Sequence, residues 1–252
     1  MTLTAVVNLD GITAVIFDTD GVITDTARVH AAAWKRVFDA FLRERAARTG
    51  EPFRPFDTRE DYLRHVDGRS RADGVTGFLG SRNIVPDPDT AADLAAGKDA
   101  AFLAVIREHG VAAFPSTVAF VREVRRRGVR TAAVSASRNC AEVLRAAGVA
   151  ELFDVRVDGV AAARLGLAGK PDPALFLQAA RELGAAPGEA AVVEDSLAGV
   201  LAGRRGRFGL VIGIDRHGRP EDLRAAGADL VVADPAELRL DGRRREPLAP
   251  DL

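Results

Sequence analysis

Residues 12–26 read Ile12-Thr13-Ala14-Val15-Ile16-Phe17-Asp18-Thr19-Asp20-Gly21-Val22-Ile23-Thr24-Asp25-Thr26. The first six are apolar or β-branched, and they stop abruptly at Asp, Thr, Asp and Gly. A short run of this kind, ended by turn residues, predicts a buried strand with acids at its carboxyl end. Similar runs follow at Thr131–Val134, Ala191–Val193, Leu210–Ile214 and Leu230–Val232. Between them lie helical patterns such as Val118–Arg127, closed by Gly128, and Pro173–Leu183, closed by Gly184. Proline near a helix start and glycine just past its end are the expected punctuation. Strands alternating with helices predict an α/β fold, a Rossmann-like parallel sheet with helices on both faces.

One stretch breaks the alternation. From Thr26 to about Ala113 no strand is evident, whereas Ala27–Leu42 has His30, Trp34, Val37 and Phe41 on one helical face. Further helices are expected at Arg59–His65, Asp73–Leu79 and Thr90–His109, with breaks at Pro52, Pro55, Gly68, Pro86 and Pro88. A small all-helical block therefore interrupts the α/β domain after its first strand. The expected division is a discontinuous core, 1–25 and 114–252, and a helical insert, 26–113. The tail after Leu240 reads as loosely ordered.

Composition narrows the function. The 252 residues carry 35 basic and 36 acidic side chains, a net charge of −1. That balance argues against nucleic acid, which calls for a basic stripe. The one basic run, Arg243–Arg245, reads as a solvated tail. The single cysteine, Cys140, lies in the helix-like NCAEVLRAAG and is expected to pack rather than react. The opening MTLTAVVNLDG shows no signal-peptide pattern, and no apolar stretch approaches the roughly 20 residues of a membrane span. A cytoplasmic monomer acting on a small molecule, without membrane, is expected.

In open parallel sheets ligands bind beyond the carboxyl ends of the strands. Asp18 and Asp20 follow the first strand, Ser135, Ala136 and Ser137 the second, and Glu194 and Asp195 the Ala191–Val193 run; Lys170 precedes Pro171 in a loop before a helix. Clustered carboxylates repel unless a hard cation neutralises them, and Mg²⁺ favours such oxygens together with phosphate. Asp18, Glu194 and Asp195 suit that cation. An aspartate can also attack phosphorus, a lysine can balance phosphoryl oxygens, and a second carboxylate such as Asp20 can act as general acid and base. Singly, each residue has a plainer reading: Glu194-Asp195, Ser135 and Ser137 as helix caps, Lys170-Pro171 as an ordinary loop. Their order, all at strand ends, favours chemistry.

FDTDGVITDT, VSAS, GKPDP and VVEDS resemble, in order, the four motifs of the haloacid dehalogenase superfamily, and the helical block is similar to its small cap. The longer string DTDGVITDTARVHAAAWK is similar to the β-phosphoglucomutase-like family. The resemblance implies Asp18 as the phosphorylated nucleophile and metal ligand. It implies Asp20 as acid/base and backbone metal ligand, with Glu194 and Asp195 completing a Mg²⁺ site. Ser135, Ala136 and Lys170 would hold the phosphoryl group, and Asn139 would contact substrate. Thr26, His30, Trp34, Arg71 and Lys98 match hinge, sugar and far-phosphate positions of the cap. Trp34 and Phe41 can equally be packing residues, and Arg71 and Lys98 solvated charges. The implied reaction interconverts β-glucose 1-phosphate and glucose 6-phosphate through a bisphosphate. A sugar-phosphate phosphatase is the alternative, and a non-catalytic phosphosugar-binding protein is disfavoured because both Asp18 and Asp20 are present. Departures are Thr19, where leucine is common, and the loop VDGRSRADG, which places Asp67 where lysine is frequent and adds Arg69 beside Arg71. A longer segment, Asn83–Asp93, extends the cap.

Overall fold

The structure, a computed structural model, describes residues 5–242. Arg243–Arg245 and the rest of the tail lie outside the described residues. In chain order the elements are β1 (Ala5–Asn8), β2 (Ala14–Asp18), α1 (Ala27–Thr49), α2 (Glu60–His65), α3 (Arg71–Ser81), α4 (Pro88–His109), α5 (Pro115–Arg126), β3 (Arg130–Val134), α6 (Cys140–Ala146), β4 (Val155–Val157), α7 (Gly159–Leu165), α8 (Ala174–Glu182), β5 (Ala190–Glu194), α9 (Leu197–Arg205), β6 (Leu210–Ile214), α10 (Pro220–Ala226), β7 (Leu230–Val232) and β8 (Leu238–Asp241).

Six strands form a parallel sheet in the order β4-β3-β2-β5-β6-β7, so the strand ending in Asp18 lies inside it. The chain leaves β2 towards β3 and β4, then crosses back to β5. That reversal opens the crevice beyond the carboxyl ends of β2, β3 and β5. The sheet has a core on each face, as the two-residue period of a strand requires. Val15, Phe17, Ala133, Val193 and Ile212 face α5 and α6. Ala14, Ile16, Ala132, Val192 and Val211 face α8 and α9.

Three strands lack a sequence signal. β4 is only three residues long, with exposed Arg156 at its centre, and β1 and β8 pair with each other in a separate parallel two-stranded ribbon. Asp241, read as the start of a loose tail, belongs to β8 and pairs with Asn8, as Leu240 does with Val7.

Among the described residues, the segment between β2 and α5 is helical, with no strand of its own. α1 runs seven residues beyond Leu42, to Thr49, before Gly50 caps it at φ 74°. Its buried stripe is rotated from the expected one. Trp34, Phe38 and Leu42 are buried with Phe56, Phe78 and Leu79, while Val37 and Phe41 sit at the rim. Trp34, Phe38 and Leu42 recur every four residues on one side of the helix, and it is Phe38, not Val37, that meets the Phe56 and Phe78 rings. Phe38 stacks on Trp34 and tilts against Phe56 and Phe78. A smaller cluster, Ala33, Phe102, Ile106 and Val143, packs α1 and α4 against α6 beside the sheet.

Candidate active site

The register of the sheet assembles the site. Phe17 pairs with Ala133 on one side and Val193 on the other, so Asp18, Val134 and Glu194 end their strands at one level. Alternation then turns Asp18 and Glu194 to the face covered by α8. Lys170 stands just ahead of α8, its ammonium 4.8 Å from the Phe176 ring centroid. Its Nζ donates to Asp18 Oδ1 and, at 2.7 Å, to Glu194 Oε2.

All three side chains are essentially out of water. Burial opposes the Lys170 charge, yet Asp18 and Glu194 hold its pKa above the usual lysine range. Burial and the neighbouring Glu194 raise Asp18, and burial with Asp67 and Glu194 raises Asp195. Asp195 completes the cluster: ligand oxygens of Asp18, Glu194 and Asp195 lie within 4.8 Å of one another. Burial penalises charging these carboxylates together, a penalty that a cation placed among them would relieve. The all-oxygen donor set also suits a hard metal.

Two glycines make this density possible. Gly21 has φ 86°, and Asp195 Oδ2 occupies the space its Cβ would need. Gly199, in the first turn of α9, leaves the same room for the Glu194 carboxyl. Ser196 caps α9 through Gly199 N and also donates from its hydroxyl to Glu194 Oε1 at 2.6 Å. The cap of α9 is thus Ser196 and not Glu194 or Asp195, whose carboxylates lie in the acidic cluster.

Asp20 points towards the helical block. Its Oδ1 accepts from Thr26 Oγ1 at 2.5 Å and lies 3.1 Å from His30 Nε2; its Oδ2 accepts from Ser135 Oγ at 3.0 Å. Thr26 is the N-cap residue of α1 but makes no side-chain cap bond, its hydroxyl being committed to Asp20. Burial works to raise the Asp20 pKa. His30, together with the hydrogen bonds from His30, Thr26 and Ser135, outweighs it and holds the carboxyl well below the usual range.

The network continues outward. Lys98 Nζ lies 2.5 Å from His30 Nδ1, and the imidazole stacks on Phe102 with centroids 4.1 Å apart. Burial, then the Lys98 charge, lowers the His30 pKa. Burial also lowers Lys98, to about 8. An ammonium at Nδ1 makes that nitrogen the acceptor, so Nε2–H donates to Asp20.

A cavity of about 50 Å³ joins these groups, lined among others by Asp18, Asp20, His30, Trp34, Ala136 and Arg69. That volume suits a few waters, not a hexose phosphate. The helical block lies close over the sheet edge. Trp34 is buried in the helical core and also lines the cavity. At the far end Arg71 Nη1 meets Asp99 Oδ1 at 2.8 Å, and Asn139 Nδ2 donates to the same oxygen at 2.7 Å. An outer groove begins there, lined among others by Arg71, Asp99, Arg138 and Leu167.

The departures from the motif pattern resolve differently. Thr19 is fully buried and faces away from the cavity, donating to the Val134 carbonyl at 3.0 Å and lying 3.4 Å from Cys140 Sγ. Cys140 is a packing residue whose thiol pKa is pushed up by burial. Asp67 faces the acidic cluster, where burial and Glu194 push its carboxyl up to about 7 while Tyr62 hydrogen-bonds it. Tyr62 and Asp99 had no signal in the sequence: Asp99 meets partners 28 and 40 positions away, and Tyr62 reads as an ordinary core residue.

Comparison with known proteins agrees with this fold. A family model described as haloacid dehalogenase-like hydrolase matches residues 12–207. A β-phosphoglucomutase of Mycobacterium bovis is 46% identical over 237 residues, covering 89% of this chain and 90% of that protein. A β-phosphoglucomutase of Bacillus subtilis is 30% identical over 90% of this chain and 92% of its own length. The crystal structure of a β-phosphoglucomutase from Clostridium difficile superposes with a TM-score of 0.73 at 27% identity, covering 90% of this chain and 93% of that one. No helix among the described residues is long and apolar enough to cross a membrane. With the four motifs gathered at one sheet edge and both sequence and fold in agreement, the chain belongs to the haloacid dehalogenase-like hydrolase family.

Proposed function

We propose that this chain interconverts β-glucose 1-phosphate and glucose 6-phosphate through an aspartyl-phosphate at Asp18 and a glucose 1,6-bisphosphate. The observation that carries the reading is the chain of contacts from Asp20 through His30 to Lys98. It ties the acid/base carboxylate to the helical block, so that chemistry is assembled only when that block lies over the sheet edge. Residues 26–113 then act as a cap on a core made of 1–25 and 114–252, and closure excludes water. A mutase needs that exclusion, because its aspartyl-phosphate must outlast the reorientation of the sugar.

The residues take the following parts. Asp18 attacks phosphorus, and the P–O bond to the departing sugar oxygen breaks. Lys170 balances charge on the transferring oxygens, with the Ser135 hydroxyl and the Ala136 backbone beside it. Asp20, held ionised, takes the proton of the sugar hydroxyl that attacks the aspartyl-phosphate, and returns it to the sugar oxygen in the reverse transfer. Asp18, Glu194 and Asp195, with the backbone carbonyl of Asp20, would hold Mg²⁺. When bound, the ion neutralises the carboxylates and the phosphoryl oxygens. Arg71 and Asn139, with Arg69 nearby, receive the second phosphate, for which a guanidinium is a bidentate partner.

A phosphatase acting on a sugar phosphate is the second reading. Asp67 favours it, an added carboxylate facing the cluster where a lysine is frequent in the family. A phosphorus NMR time course separates the two. Protein, Mg²⁺, β-glucose 1-phosphate and a trace of β-glucose 1,6-bisphosphate are expected to yield glucose 6-phosphate without matching inorganic phosphate. Inorganic phosphate alone would replace the mutase reading with the phosphatase one.

A further inference from the structure

Lys98 and Asp99 are consecutive on α4, and consecutive helix positions point about 100° apart. Lys98 reaches inward to His30, whereas Asp99 reaches the far end and holds Arg71 and Asn139 through a single oxygen. Both partners are donors suited to a phosphate oxygen. One comes from α3 and the other from the loop before α6, so the carboxylate bridges the helical block and the sheet domain. It occupies the position from which an anion would satisfy both donors at once. The contact is not sealed: the Arg71 and Asp99 side chains keep 20% and 27% of their exposure. An ion pair in that setting is weak and exchangeable. A phosphate dianion brings more charge and more acceptor oxygens than a carboxylate. A neutral hydroxyl brings neither.

We propose that Asp99 is a specificity-determining residue whose carboxylate stands in for the second phosphate of the substrate at Arg71 and Asn139, and that only a phosphate-bearing sugar displaces it. The proposal rests on reading the far end as a sugar-phosphate site. It explains why Arg71 is engaged inside the protein rather than free. The exchange moves no covalent bond; one anion replaces another on the same donors.

Glucose 6-phosphate is titrated calorimetrically, with Mg²⁺ present, into the wild-type protein, Asp99→Asn, Arg71→Ala and the double variant. Asp99→Asn keeps the shape and the hydrogen-bonding capacity and removes the competing charge. It is expected to bind about two- to five-fold tighter, the scale of a solvent-accessible ion pair. In the Arg71→Ala background the same change should gain nothing, because the two residues act on one contact. Weaker or unchanged binding by Asp99→Asn would overturn the proposal and leave Asp99 as an orienting partner of Arg71. A gain that persists without Arg71 would overturn it too. Inorganic phosphate titrated in parallel separates the two levels of the argument. If the sugar-phosphate reading fails, glucose 6-phosphate binds the wild type no better than inorganic phosphate does. If only the Asp99 reading fails, glucose 6-phosphate still binds better than inorganic phosphate, but Asp99→Asn gains nothing or gains it equally without Arg71.

Discussion

The two ends of the cavity hold charge in opposite ways. At the transfer end Lys170, Asp18 and Glu194 are buried together, on strand ends and a loop pinned by the sheet. At the far end Arg71 and Asp99 remain partly in water, on two helices of the insert. A buried ion pair is costly to break and holds a fixed geometry, whereas a pair left partly in water is more readily exchanged. The first arrangement suits a reaction centre, the second a recognition site that must open and close. Asp20 stands between them, fixed to the sheet domain by Ser135 and to the helical block by Thr26 and His30.

The sharpest attempt to break this contrast is at the nucleophile. Asp18→Asn is expected to abolish turnover, a loss of at least about a thousand-fold, while calorimetry still detects sugar-phosphate binding. Measurable turnover would remove the covalent mechanism. Lys170→Ala strands three buried carboxylates. It should cost about 3–5 kcal/mol of stability in metal-free protein, read by urea unfolding, with Mg²⁺ restoring part of it. A loss below 1 kcal/mol would place the transfer end in the weak, solvated class of the far end.

His30→Asn cuts the link between Asp20 and Lys98. It is expected to lower kcat about a hundred-fold with little change in KM, the reverse of an effect on binding alone. The same link predicts a pH dependence. Lys98, faced by Asp20, His30, Arg71 and Asp99, loses its proton as pH rises through about 8, and the rate should fall there. Stability moves the other way. Between about 8 and the ordinary 10.5 the unfolded chain binds more protons at this lysine, so its contribution to stability rises with pH. A Lys98→Met variant should lose both trends. The smallest effect is expected at the far end: Arg71→Ala should raise KM about ten-fold and leave Mg²⁺ binding unchanged. If Arg69→Ala alone does so, the second phosphate sits against Arg69.

The sequence alone determined the sheet and its acids. Strand runs ending in Asp18, Ser135 and Glu194 mark one sheet edge because a two-residue period and a parallel topology leave little freedom in where those side chains emerge. The helical block was legible as helices, through its apolar spacing and its proline and glycine breaks. Only the tertiary structure decided the rest. It turned the buried stripe of α1 from Val37 and Phe41 to Phe38, sent Thr19 into the interior, and paired β1 with β8 across the length of the chain. It also joined Arg71 to Asp99 and Asn139, and Tyr62 to Asp67. Those contacts link residues on separate elements whose spacing carries no periodic signal, and their strength comes from shared burial, a property of the packed molecule rather than of any segment.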